Sequence, residues 1–188
     1  MKKYRLIALL FSLLPGLLIA DDWRQGENLV TPYKPAENQW ELLRKDTPDE
    51  RGMMWRSKQY GFNDSYVVTV YPGLTKSLIS MRTLNDAPGK KSCTKRFKSI
   101  DLQPIANRNY PSLFWRTECE TGQGFKAQMI NLLIQGKDSF YHIRKVWRGD
   151  EVKPDVSTWV SRLAGIYVCD TRDETKACPT DYKKVNDF

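Results

Sequence analysis

The 188 residues include a single histidine, His142, so any histidine-dependent nucleophile or general base rests on one side chain. No Gly-x-Ser-x-Gly elbow is present, which removes one familiar serine-hydrolase geometry. Cys-x-x-Cys is also absent, and with one histidine the cysteine spacing fits no zinc pattern. After residue 20 no apolar run approaches the roughly 20 residues that cross a bilayer as a helix. Internal repeats and low-complexity tracts are lacking too. These absences predict a chain with no metal, no cofactor and no integral membrane helix.

What is present begins at the N-terminus. Lys2, Lys3 and Arg5 precede an apolar run, Leu6 to Leu14, that only Ser12 interrupts. Pro15-Gly16 breaks that run before Leu17-Leu18-Ile19-Ala20, and charge returns at Asp21-Asp22. Positive, apolar and cleavage regions in that order predict a secretory signal peptide over residues 1–20, although Leu18 stands where a small residue is preferred. Residues 21–188 then form a single extracytoplasmic domain, periplasmic or secreted, long enough to bury a core of its own. Three of the 30 Lys and Arg and none of the 22 Asp and Glu lie in the signal, leaving 27 against 22 and a net charge of +5. Such a surplus permits an anionic partner without requiring one.

Cys93, Cys119, Cys169 and Cys178 all fall in the exported part. An even number in an oxidising compartment predicts two disulfides, and short loops favour Cys93–Cys119 and Cys169–Cys178.

The fold class expected is α+β. Residues 21–38, with Pro32 and Pro35, make an extended N-terminal arm over the domain surface. Runs at 39–43, 53–62 and 65–73 are rich in aromatic and β-branched residues and predict strands, separated at Thr47-Pro48-Asp49 and Asn63-Asp64. Residues 78–84 continue the sheet in this reading, and Asp86-Ala87-Pro88-Gly89 is a break. Cys93, Phe97 and Ile100 have helical spacing behind Ser92, which predicts a short helix over 92–102. Between about 112 and 148, three strand-like runs joined by Thr121-Gly122-Gln123-Gly124 and Gln135-Gly136-Lys137-Asp138 predict an antiparallel meander. An amphipathic helix over about 155–168, capped by Asp155, is expected to cover one face of it.

A register that pairs Glu120 with Phe125 and Ile134 with Ser139 assigns the faces. Leu113, Trp115, Cys119, Ile130, Leu132, Ile134, Tyr141, Ile143 and Trp147 share the apolar face. Phe114, Arg116, Glu118, Met129, Asn131, His142 and Arg144 share a half-exposed one. Three features of this pattern carry chemistry. Arg116, Asn131, His142 and Arg144 form a binding surface, with His142 and Glu118 the catalytic candidates if there is any catalysis. The pair Glu118 and Glu120 is equally well explained by alternating charge on a solvated strand. Lys90, Lys91, Lys95 and Arg96, within a basic stretch that also holds Arg82 and Lys98, would meet phosphate or sulfate groups. Only Phe97 interleaves them, so specific nucleic-acid recognition is not expected. Of the six tryptophans, Trp23, Trp40 and Trp55 fall outside the assigned core face.

The function expected is a non-enzymatic binding protein for another protein or an anionic envelope component. The alternatives are a small hydrolase-type enzyme centred on His142, and an envelope assembly factor or inhibitor that occludes another protein. An open face around His142 further predicts that His142→Ala leaves the fold intact.

Overall fold

A computed structural model describes residues 23–103 and 109–180 of the chain. The expected signal peptide, residues 1–20, lies outside these residues. In chain order the elements are β1 (Glu27–Val30), β2 (Trp40–Thr47), β3 (Glu50–Ser57), β4 (Gly61–Pro72), α1 (Leu78–Ser92), β5 (Arg96–Asp101), β6 (Ser112–Glu120), β7 (Lys126–Gln135), β8 (Ser139–Arg148), α2 (Val156–Ala164) and β9 (Tyr167–Asp170). A short 3-10 turn, Glu174–Lys176, follows. The protein is α+β and mostly antiparallel strand. Seven strands make one sheet in the order β2-β3-β4-β8-β7-β6-β5, and β1 pairs with β9 in a two-stranded ribbon.

The meander forms as expected over β6, β7 and β8, but its register differs at both turns. At the first turn Thr121 N–H donates to Phe125 O at 2.9 Å, and Gly124 adopts φ +85°. The left-handed glycine closes a three-residue loop instead of a four-residue one. Cys119 therefore faces Ala127, and Trp115 faces Asn131. That slip of one residue turns all of β6 over. At the second turn Gly136 N–H donates to Ser139 O, leaving a two-residue loop, and Ile134 faces Tyr141. This shift of two residues leaves β7 and β8 on their expected faces.

Four local expectations are overturned. Residues 78–84 are helical, not strand, because Ser77 caps α1 by accepting from Ser80 N–H and the helix runs on to Ser92. The supposed break at Asp86–Gly89 lies inside α1. Its Pro88 sits near the C-terminal end, where one missing N–H interrupts little of the helix. Residues 96–101 form the edge strand β5 instead of a helix, paired with β6 from Arg96↔Glu120 to Asp101↔Trp115. Asn63 and Asp64 lie within β4. The turn before it spans 58–60, where Ser57 Oγ accepts from the N–H groups of Gln59 and Tyr60.

Both disulfides form with the expected partners, Cys93–Cys119 and Cys169–Cys178. The first fastens the end of α1 to β6. Part of the N-terminal arm is itself a strand: β1 lies against β9, with Leu29 opposite Val168. Glu27 at its start accepts from the backbone N–H groups of Asp138 and Ser139, tying the ribbon to the β7–β8 turn.

The two faces of the sheet bury different clusters. Met53, Tyr66, Val68, Ile130, Leu132, Ile143 and Trp147 form the larger one, together with Trp159, Leu163 and Ala164 of α2. Asp155 caps α2, its carboxylate accepting from Thr158 N–H at 3.3 Å. Val68, Leu132 and Ile143 are fully sealed from solvent, each side chain contributing roughly 1.5–3 kcal/mol by burial. On the opposite face Met81 of α1 packs with Trp115, Leu133 and Phe140.

Candidate functional site

The corrected register divides the expected binding surface in two. Asn131, His142 and Arg144 remain together, because Asn131 faces Arg144 and His142 faces Leu133 beside them. Arg116 and Glu118 project from the other side, since Arg116 faces Ile130 and Glu118 faces Gln128.

His142 does not lie on an open face. It is 1% exposed, its Nε2 lies 3.3 Å from Asn131 Oδ1, and its ring stacks on Trp115 at 6.3 Å. Burial first, and the nearby Arg144 charge second, push its pKa well below the ordinary imidazole value. A neutral imidazole suits a base, but a base needs the substrate proton within hydrogen-bond reach. Replacing this packed ring with alanine would open a cavity, so the expectation of an intact fold after His142→Ala does not suit the environment.

Trp115 is held from its far side as well. Its indole N–H donates to Asp86 Oδ1 at 3.2 Å, Ser99 Oγ donates to Asp86 Oδ2 at 2.8 Å, and Arg82 lies over the indole. Arg82 also bonds Ser99 and Asp101. This buried network pins α1 to β5 and β6, and it removes Arg82 from the free basic stretch.

The remaining cations fall into two groups. Lys95 pairs with Glu120 at 2.6 Å, and Arg96 with Glu118 at 3.7 Å. The Lys95 contact is the main reason that the Glu120 carboxyl titrates below its usual range. Lys90, Lys91 and Lys98 are exposed and form no ion pair among the described residues. Lys90 and Lys91 end α1 on one side of the β5 edge, whereas Lys98, directly opposite Glu118, projects from the other side.

Beside that edge, on the side of the larger core, lies a cleft of about 390 Å³ lined by Arg96, Glu118, Lys126, Gln128, Trp147 and Lys153. Glu118 is shared between Arg116 at 2.9 Å and Arg96, and Lys126 pairs with Asp150 at 3.0 Å. Arg96, Arg116 and Glu118 were candidates from sequence, whereas the 149–154 loop that forms the other wall was not.

One further cluster escaped the sequence reading. Lys145 is fully buried and paired with Asp64, and its Nζ lies over the rings of Trp40, Trp147 and Trp159 at 4.6–5.0 Å. The signal was available: alternation places Lys145 in one series with Tyr141, Ile143 and Trp147, where a lysine is out of place. Of the tryptophans outside the assigned core face, Trp55 stacks on Tyr66, Trp40 joins this cage, and Trp23 donates to Pro179 O.

Glu27, Asp138 and Asp170 bring carboxylate oxygens within 4.8 Å of one another. Arg172 pairs with both Asp138 and Asp170, and backbone amides donate to Glu27, so each carboxylate is engaged within the fold. The chain matches no protein-family model, and no curated protein matches it.

Proposed function

We propose that this chain is an exported, non-enzymatic binding protein whose basic edge engages an anionic component of the cell envelope. The observation that carries this reading is the contrast between the sole histidine, sealed within the sheet, and Lys90, Lys91 and Lys98, which stand in solvent with their charges unspent. We take α2 as the cover of the core-facing side of the meander, which leaves α1 with Lys90 and Lys91 on the outward side and Lys98 at the open β5 edge. Two disulfides support export, because such bonds persist in oxidising compartments.

An anionic surface attracts each nearby lysine by about 1 kcal/mol, and salt screens the effect. Co-sedimentation with phosphatidylglycerol vesicles tests the reading against neutral phosphatidylcholine vesicles. Binding to the anionic vesicles alone, falling as salt rises, is the expected result. Lys90→Gln, Lys91→Gln and Lys98→Gln together should weaken it at least roughly tenfold. Equal sedimentation with both vesicle types, or no loss in the triple variant, would overturn the anionic reading.

A further inference from the structure

We propose that the cleft beside Trp147 binds a small organic dianion with an apolar body, and that Glu118 occupies it as a resident counter-ion. Charge counting around the cleft points this way. Arg96, Lys126 and Lys153 line it, Arg116 reaches its wall through Glu118, and Lys98 stands opposite Glu118, whereas the carboxylates are Glu118, Asp150 and Glu120, which faces Arg96 and Lys126. Five cations thus face three anions. Lys153 has no ion pair among the described residues, and Arg116 Nε is buried without a hydrogen-bond partner. A ligand carrying two negative charges would balance the set.

The geometry narrows the ligand further. A cleft of about 390 Å³ falls in the range of small-molecule sites. Trp147, Val152 and Pro154 give it an apolar wall, which suits a ring or short hydrocarbon attached to the acidic group. Glu118 lies between the two guanidiniums, where planar oxygen pairs of a phosphoryl or carboxylate group would also fit. Its own carboxylate therefore competes with the ligand, and removing that charge should favour binding. Lys98 stands opposite Glu118, so the variant that separates vesicle binding from this site is Lys90→Gln with Lys91→Gln, whose lysines lie on α1 away from the cleft.

Titration calorimetry with phenyl phosphate tests the proposal, with phthalate, phenol and inorganic phosphate in parallel. Phenyl phosphate should bind the native protein more tightly than phenol or inorganic phosphate does. It should bind Glu118→Gln about tenfold more tightly, and Lys126→Gln with Lys153→Gln at least about tenfold more weakly. Binding should also shift the Trp147 indole N–H resonance, identified by its absence in Trp147→Phe. Tighter binding of phthalate than of phenyl phosphate would assign the site to dicarboxylates, and the reverse to phosphate monoesters. The proposal is overturned if neither phenyl phosphate nor phthalate binds the native protein or Glu118→Gln. It is equally overturned if the double lysine variant binds as the native protein does.

Discussion

Lys145 shows how burial and pairing compete at one residue. Its contact with Asp64 raises the pKa and its loss of water lowers it; desolvation wins, holding the value at about 8. In the unfolded chain a lysine titrates near 10.4, so between these values the unfolded state binds more protons. Stability from this residue therefore rises with pH between about 8 and 10.5, by up to roughly 3 kcal/mol. The buried Tyr141 acts in the opposite direction, because burial raises its pKa and stability is lost as the unfolded phenol ionises. Urea unfolding of native protein and Lys145→Met across pH 7–10.5 separates the two effects. The difference between the curves should change by that amount. A constant difference would mean that Lys145 keeps its ordinary affinity for protons. Among named positions, the paired cysteines were the most legible from sequence, since short loops and an even number left few choices. The exposure of His142 was not legible, because the one-residue slip of β6 brings Trp115 onto its face and seals the ring.

At the scale of elements, α1 was hidden and β5 was misread for one reason. Amphipathic pattern is the usual sign of a helix on a sheet, but here Met81 and Asp86 are the buried residues of α1, while Ile79 and Leu84 are exposed. The helix is held by a buried carboxylate and its partners, not by an apolar stripe, and its Pro88-Gly89 looks like a turn. Gly89 has a packing role: a Cβ there would lie 2.5 Å from the Phe97 ring of β5. Gly89→Ala should therefore destabilise the protein by about 1–3 kcal/mol despite the higher helix propensity of alanine. Thermal unfolding followed by circular dichroism checks this, and an unchanged or higher midpoint would show that the ring moves aside freely. The meander was legible because glycine turns and alternating runs coincide. Its register was not, because Gly122 and Gly124 each allow a turn, and the choice between three and four loop residues inverted Trp115 relative to Ile130.

For the whole molecule, the two disulfides act over different spans. Cys93–Cys119 encloses 26 residues of separation and Cys169–Cys178 encloses 9. Loop-closure entropy then assigns about 3–4 kcal/mol to the first and about 2–3 kcal/mol to the second. Cys93→Ser with Cys119→Ser should accordingly lower the urea midpoint more than Cys169→Ser with Cys178→Ser, and the opposite ranking would show that local contacts outweigh chain entropy. Strand order has a consequence for how the chain comes into being. β4 lies between β3 and β8, yet β4 ends at Pro72 and β8 begins only at Ser139. A polypeptide emerging from the ribosome thus presents an early hairpin whose open side, Val67 to Val70, has to wait for a distant stretch still being made. Until that stretch arrives, the nascent chain offers an apolar edge to any neighbour, so its passage to the native state calls for shelter during synthesis.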